Sequence, residues 1–193
     1  MKVFSSYQLS QFEKVLNKDT VDTKELRKLC WNGIPHPHRP LAWQILLGYI
    51  PVKRDRREEI VNRKRREYQE SVPTYYSNNI PEIDGDRSTQ DGEIYRQIMV
   101  DLPRTCPDSP FFHQEPVRKV MERILYIWSI RHPSSGYVQG MNDILTPLLL
   151  ICMQTFVDEP LRCDVASLDP DILVSNNVYI TLILYIYYFI YIV

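Results

Sequence analysis

The chain has 193 residues, 44% of them hydrophobic and 24% charged, which suits one domain, with or without a tail, that can bury a core. A formal net charge of −1 gives no overall attraction to nucleic acid or acidic membranes, so no nucleic-acid partner is expected. The 4 cysteines show no C-x-x-C spacing, the 4 histidines form no metal-binding set, and the N-terminal residues lack the apolar run of a signal peptide. We therefore expect a cytoplasmic protein without a metal site or a disulfide framework.

The first half of the chain predicts a series of short helices. A first amphipathic helix is indicated by four apolar residues at helical spacing, Leu9, Phe12, Val15 and Leu16. Asp22 is placed as the N-cap of a second helix, with Glu25 as the reciprocal acid, and Gly33 ends it. Pro37 and Pro40 then fit the first turn of a third helix. We interpret the tryptophans near these helices, Trp31 and Trp43, as core residues.

The stretch from Lys53 to Glu70 is dense in charge and predicts a fourth helix. It has two interpretations: a nuclear-targeting or phosphate-binding patch, or a solvated helix on the outside of a bundle. We favour the solvated helix, because acids are interleaved throughout and Glu59 with Arg63 makes a favourable i, i+4 pair. The next segment, Pro73 to Gly92, is rich in Asn, Asp, Gly and Ser and predicts a surface loop.

A fifth helix is predicted to start at Asp91 or Gly92. Its apolar face consists of four residues, Ile94, Tyr95, Ile98 and Leu102. Pro103 disfavours helical geometry for the residue before it, so Arg104 is expected just past the end of the helix. A lone arginine there is usually a surface or salt-bridged residue, and Asp101 is an obvious ionic partner.

Two more helices follow, separated by a glycine-rich stretch. Pro116 is predicted to begin a helix that ends at His132-Pro133 and whose apolar stripe belongs to the core. The last helix is predicted from near Gln139 to Phe156, with a kink at Pro147. Gln139 lies between two glycines, where an uncharged amide has little reason to be for packing. No segment before residue 178 has the period of two typical of strands, so we predict an all-α fold.

Three motifs in this chain resemble those of the TBC domain, the catalytic module of GTPase-activating proteins for Rab-type small GTPases. The first consists of Arg27, Trp31, Gly33, Pro35, Arg39 and Trp43; the second of Ile98, Asp101, Arg104 and Thr105; the third runs without a gap from Ser135 to Asp143. Residues around the third motif resemble the Golgi-associated Ypt/Rab-regulating subfamily. The resemblance covers residues 9–177, leaving an extension at 1–8 and a tail at 178–193.

The resemblance implies a function as well as a fold. The fold would be the N-terminal part of the all-α TBC domain, and the partner a Rab-family GTPase in its GTP-bound state. Arg104 and Gln139 would act in trans as an arginine and a glutamine finger that accelerate GTP hydrolysis in vesicle traffic. The residues expected to support the fingers are Ile98, Asp101, Thr105, Tyr137, Gly140, Asn142 and Asp143. No cofactor of its own is implied, because GTP and Mg²⁺ would arrive with the partner, at Golgi or endosomal membranes. The motif around Trp31 and Trp43 would be structural.

The tail, residues 178–193, departs from the family pattern. It carries no charge, and a TBC domain would continue here with a second helical half. As a helix it would span about 24 Å, short of the roughly 30 Å hydrocarbon core of a membrane. Three hypotheses stay open: a translated intron or truncated transcript, which we favour, a marginal membrane anchor, or a genuine part of the core. The alternative function is correspondingly a helical fragment that binds a Rab without stimulating it, tethered to a membrane if the tail is an anchor.

Overall fold

The computed structural model describes residues 4–77 and 90–153. Within these ranges the chain forms seven α-helices connected by short turns, and its one extended pairing is an isolated bridge between Thr20 and Lys53. The predicted all-α fold is confirmed. In the part of the chain that is described, no helix has both the length and the apolar character needed to cross a membrane. The predictions for residues 78–89 of the loop, for the end of the last helix and for the tail lie outside the described residues.

The chain divides into two compact units, Met1–Lys64 and Arg65–Val193. The first unit contains α1 (Ser6–Leu16), α2 (Thr23–Cys30) and α3 (Arg39–Leu46), and the start of α4 (Arg57–Val72). Helix α1 packs on α2, and α2 packs on α3. Their buried side chains include Phe12, Leu16, Leu26, Ala42 and Ile45, so the helical spacing seen in the sequence does mark the core faces.

The predicted cap of α2 is confirmed. The Asp22 carboxylate accepts hydrogen bonds from the backbone N–H groups of Lys24 and Glu25, at 2.8 and 3.4 Å. These bonds hold the pKa of Asp22 below its usual value, because they stabilise the ionised form. The predicted reciprocal role of Glu25 is wrong: its side chain forms an ion pair with Lys18.

The prediction that Trp31 is a core residue is also wrong. Trp31 is 88% exposed, whereas Pro35 is buried and Trp43 is partly buried. Trp31 follows the last residue of α2, five positions after the fully buried Leu26. At 3.6 residues per turn this spacing turns Trp31 about 140° away from the buried face. Gly33, with a φ of +106°, then redirects the chain.

Helix α4 is solvated, as predicted: Tyr68 and Ser71 are its buried residues. The loop predicted from Pro73 does not begin there, because Pro73–Ser77 continue the helix as a π-helical turn. Tyr76 secures this turn. Its hydroxyl donates a 2.7 Å hydrogen bond to Glu122, and its ring meets that of Tyr126 edge-on. Aromatic packing thus overrides the loop-forming composition of this segment.

The second unit is organised around α6 (Glu115–Arg131), which contacts both α5 (Gln90–Asp101) and α7 (Met141–Met153). Pro116 lies in its first turn and His132 caps its end, as predicted. Eleven of its residues are buried, with Ile124, Leu125 and Ile127 fully enclosed, so this helix is apolar on most sides. It is the buried helix against which α5 and α7 pack.

Helix α7 begins at Met141, two residues after Gln139, near which its start was predicted. Gly140 has a φ of +95°, which a right-handed helix does not accommodate. The helix continues through Pro147, which has no N–H to donate to the carbonyl of Asp143. The hydroxyl of Thr146 donates to that carbonyl at 2.8 Å instead, so it remains hydrogen-bonded. The kink at Pro147 stays a prediction.

Candidate functional site

Arg104 lies at the end of a 3-10 turn, Leu102–Arg104, that directly extends α5. As predicted, α5 ends before Pro103 and Arg104 lies just past its end, but Leu102 stays helical, in the 3-10 turn. The tighter turn is closed by a 3.2 Å bond from the Thr105 N–H to the Leu102 carbonyl and makes no use of an N–H at Pro103. Leu102 stays in the core at 2% exposure, while the Arg104 side chain is 61% exposed.

The carboxylate of Asp101 is the centre of the site. It is 3% exposed, and its Oδ1 forms an ion pair with Nη2 of Arg104. Its Oδ2 accepts hydrogen bonds from the Tyr137 hydroxyl at 3.0 Å and from Nε2 of Gln97 at 3.3 Å. Burying a carboxylate is unfavourable unless it is paired and hydrogen-bonded, and here both oxygens have donors. Asp101 therefore restrains Arg104 and is itself restrained by two other side chains.

Gln139 is presented at the corner of a tight turn. The Met141 N–H donates to the Val138 carbonyl at 3.1 Å, and Gly140, the third residue of the turn, has a positive φ. Gln139 itself has a negative φ, so this is a type II turn, which favours glycine at its third position. Upstream, the N–H groups of Ser135 and Gly136 donate to the His132 carbonyl at 3.1 and 2.8 Å. The loop is thus fixed at both ends, with the Gln139 side chain exposed.

A second bridge connects the arginine segment to the glutamine loop. Nδ2 of Asn142 donates to Oγ1 of Thr105 at 2.8 Å, and that hydroxyl donates to the backbone carbonyl of Asp101 at 3.1 Å. Thr105 and Asn142 are buried, at 0% and 6% exposure. Together with the bond between Tyr137 and Asp101, this bridge fixes the position of the arginine segment relative to the glutamine loop. They enclose a cleft of about 290 Å³ lined by Asp101, Arg104, Gln139, Gly140, Asn142 and Asp143.

The hydroxyl of Tyr137 is a donor at all ordinary pH values. Burial raises the pKa of Tyr137 well above that of a free phenol, and the hydrogen bond to Asp101 and the charges of Asp101 and Asp143 raise it further. The phenol is therefore neutral and keeps its proton for Oδ2 of Asp101. The same hydroxyl lies 3.3 Å from Oδ1 of Asn142, a second acceptor in the glutamine loop.

The structure brings the residues of the second and third motifs together. Beyond the cleft lining, Tyr137 and Thr105 bridge the two segments, and Ile98 is fully buried on the core side of α5. The residues of the first motif belong to the unit that ends at Lys64. There Arg27 is exposed, and Arg39 donates from Nη2 to the Ile34 carbonyl at 3.3 Å.

A family model, the Rab-GTPase-TBC domain, matches residues 36–158, which include this whole cleft. The chain belongs to the TBC domain family. It is 41% identical over 176 residues to human TBC1 domain family member 22B, covering 91% of this chain and 34% of that protein. It is 39% identical over 163 residues to the GTPase-activating protein GYP1 of Saccharomyces cerevisiae, covering 84% and 24%.

The fold also matches a solved structure, that of the Ypt/Rab-GAP domain of Gyp1p. The TM-score is 0.74 at 34% identity, over 94% of this chain and 54% of that one. The chain thus spans about a third of the length of the human relative and about half of the solved domain.

Within this TBC domain, Gln97 was not predicted from the sequence. It precedes the second motif and donates to the Asp101 carboxylate although its side chain is exposed. The available signal was its spacing: Gln97 and Asp101 are four residues apart on one helix, where an amide and a carboxylate are neighbours. The role of Thr146 at the Asp143 carbonyl was missed too, and the proline that follows it was the signal.

Proposed function

We propose that this TBC domain is a GTPase-activating module for Rab-type small GTPases, to which it supplies Arg104 and Gln139 in trans. The observation that carries the proposal is that an exposed arginine and an exposed glutamine line one cleft, on segments connected by one buried and one partly buried polar bridge. Family membership supports the proposal, and so does the similarity to GYP1, which is named a GTPase-activating protein.

Arginine suits the first task in phosphoryl transfer from GTP to water, which is to stabilise charge on the phosphate oxygens. Its guanidinium is planar, permanently charged and able to bond two oxygens at once. Arg104 is mounted at the end of a helix extension and its side chain is largely exposed. In the free protein its Nη2 is held against Asp101, so we infer that the remaining N–H donors of the guanidinium reach the phosphate oxygens in the transition state while the ion pair keeps the side chain oriented.

Glutamine suits the second task, which is to orient the attacking water. An amide accepts a hydrogen bond through its oxygen and donates through its nitrogen, so one side chain contacts both the water and a phosphate oxygen. Gln139 is presented at the corner of the type II turn, where a neutral side chain adds no charge to a site that receives an anion. GTP and Mg²⁺ are expected to arrive with the partner.

The other motif residues act in this proposal as positioning residues. Asp101 orients Arg104, and Tyr137, Thr105 and Asn142 fix the glutamine loop relative to the arginine. Gly140 permits the turn, and Ile98 anchors α5 in the core. Asp143 lies in the first turn of α7, where a negative charge favours the helix N-terminus.

Single-turnover GTP hydrolysis by a panel of Rab proteins tests the proposal. We expect the wild-type chain to accelerate hydrolysis by at least one member, and Arg104→Ala and Gln139→Ala each to remove most of that acceleration. The activating protein of Ras, which supplies an arginine finger, accelerates hydrolysis by about five orders of magnitude, so even a hundredth of such an effect is measurable. Binding of the GTP-loaded Rab should change little in either variant, because the lost contacts act in the transition state.

Two matched variants on α4, Arg66→Ala and Gln69→Ala, remove the same side chains from exposed positions outside the cleft lining. They should keep full acceleration. If the wild-type chain binds a Rab but never accelerates hydrolysis, the non-catalytic binding module is the correct function. Acceleration that survives Arg104→Ala would refute the proposed role of the arginine.

A further inference from the structure

Two large hydrophobic side chains that are exposed in the described part of the second unit lie beside the candidate fingers. Among the described residues from Arg65 onward, the large hydrophobic side chains that are exposed are Val100, at 52%, and Val138, at 51%. Val100 precedes Asp101, and Val138 precedes Gln139. Single exposed hydrophobic residues are common on protein surfaces, but two that both adjoin one cleft form a pattern.

Each valine adjoins one candidate finger: Val100 adjoins Arg104, and Val138 adjoins Gln139. Val100 is four residues before Arg104 along α5 and its 3-10 extension, a spacing that makes side chains neighbours on one face of a helix. Val138 is the first residue of the turn that presents Gln139. Its carbonyl accepts from the Met141 N–H, and its own N–H points to the Met141 sulphur at 3.4 Å, so its position is fixed.

Neither valine is explained by the fold. Valine is a poorer helix former than alanine or leucine, so Val100 does not favour α5 at an exposed position. The core side of the same helix is supplied by Tyr95, Ile98 and Leu102, all buried. The core contact of the glutamine loop is made by Met141, at 3% exposure, not by Val138.

We infer that Val100 and Val138 form an apolar rim that docks against apolar side chains beside the nucleotide of the GTP-bound GTPase. This inference rests on the proposed function and adds to it the contacts that give affinity. The choice of occupant follows from continuity: a partner whose phosphate lies between Arg104 and Gln139 covers both valines. Apolar contacts around a charged centre exclude water, and they strengthen the electrostatic interactions enclosed within them.

The test uses the full chain with Val100→Thr, Val138→Thr and the double variant. Threonine keeps the shape and the β-branching of valine but replaces one methyl group by a hydroxyl. Two quantities are measured on a responsive Rab: the affinity for the Rab loaded with a non-hydrolysable GTP analogue, and single-turnover hydrolysis as a function of the concentration of this chain. Tyr7→Ser, which removes an exposed aromatic side chain from the first unit, is the control and should change neither.

We expect each threonine to weaken affinity and raise the half-saturating concentration about fourfold, the factor for one methyl group withdrawn from an apolar contact. The double variant should show about fifteenfold if the sites are additive. The hydrolysis rate at saturation should stay within about twofold of wild type, which distinguishes a docking rim from the fingers.

Unchanged affinity in the double variant, with wild-type acceleration intact, overturns the rim and leaves the proposed function standing. A loss of the saturated rate without a loss of affinity also overturns it. If the wild-type chain binds the GTP-loaded Rab without accelerating hydrolysis and the threonines weaken binding, the rim is supported and the catalytic proposal fails. A chain that binds no member of the panel refutes the rim.

Discussion

Replacing Tyr137 by phenylalanine removes one hydroxyl that joins the glutamine loop to the arginine segment. In the wild-type chain this hydroxyl donates to Oδ2 of Asp101 at 3.0 Å, and the carboxylate is almost fully buried. The ring itself is kept, so the packing of the loop should survive. The variant loses the hydrogen bond between the loop that carries Gln139 and Asp101, the residue that holds Arg104.

The magnitude follows from the partners that remain. A hydrogen bond to a charged group contributes about 1.5–3 kcal/mol, and we expect the lower end of this range. Oδ2 of Asp101 keeps the bond from Gln97, and Oδ1 keeps the ion pair with Arg104. We therefore expect Tyr137→Phe to reduce the free energy of unfolding by about 1.5 kcal/mol. If the same restraint aligns the fingers, stimulated hydrolysis at saturation should fall about tenfold, since about 1.4 kcal/mol corresponds to one factor of ten.

Tyr95→Phe is the matched control. The Tyr95 hydroxyl also donates to a carboxylate, Oε1 of Glu122 at 2.9 Å, and Glu122 keeps a second donor in Tyr76. Urea unfolding should show similar losses for both variants, while hydrolysis should fall in Tyr137→Phe alone. Equal losses of hydrolysis in the two variants would refute the reasoning, because general destabilisation would then explain both.

Three further predictions concern the turn at Gly140, the cap of α2 and the phenol of Tyr126. Gly140→Ala should destabilise by about 1 kcal/mol through its positive φ alone, because a Cβ there meets no atom within 4 Å; Gly48→Ala, at an equally open positive-φ site, should match it in urea unfolding but spare hydrolysis. Asp22→Ala should lower the free energy of unfolding at pH 7, and because the folded pKa of this carboxylate is depressed, the loss should shrink as the pH falls below the unfolded pKa of about 4; a loss that stays the same in acid would contradict a cap by the ionised carboxylate. Burial, and to a lesser extent Asp91, raises the pKa of Tyr126 to about 12. Because the folded pKa exceeds the unfolded value of about 10, stability from this phenol should be complete below pH 10 and decline above it; a tyrosinate absorbance from Tyr126 with a midpoint at pH 10 in the folded protein would contradict this.

Local signals predicted most of the helices. The Asp22 cap, Pro40 and Pro116 in first turns, and the apolar spacing of α1, α2 and α6 depend on residues within a few positions of one another, and these were predicted correctly. Pro37 was predicted in the first turn of α3 but lies in the 3-10 turn His36–His38 that precedes it. Errors arose where a longer-range contact decides the outcome. Tyr76 holds the extension of α4 past Pro73, because its hydroxyl donates a hydrogen bond to Glu122, 46 positions later. The composition of the segment alone gives no sign of that partner.

The residues of the candidate site were predicted from the sequence, but the hydrogen bonds between them were not. The motif match indicated Asp101, Arg104 and Gln139, yet no local pattern shows that Tyr137 reaches Asp101 across 36 positions or that Asn142 reaches Thr105 across 37. The prediction that Trp31 is a core residue was wrong for the opposite reason. A tryptophan usually indicates a core position, but its angular place on α2 faces solvent, and only the helix phase relative to Leu26 reveals this.

The carboxylate of Asp101 gives one oxygen to the arginine and the other to the glutamine loop. If either loop were replaced by that of a relative, the new loop would therefore meet an Asp101 carboxylate whose position is set by the other, unchanged loop. Engineering a new partner preference into this scaffold should exchange both loops together with the last turn of α5. The same geometry means that substitutions in one loop will be tolerated or rejected according to the sequence of the other, so variants selected separately should combine poorly.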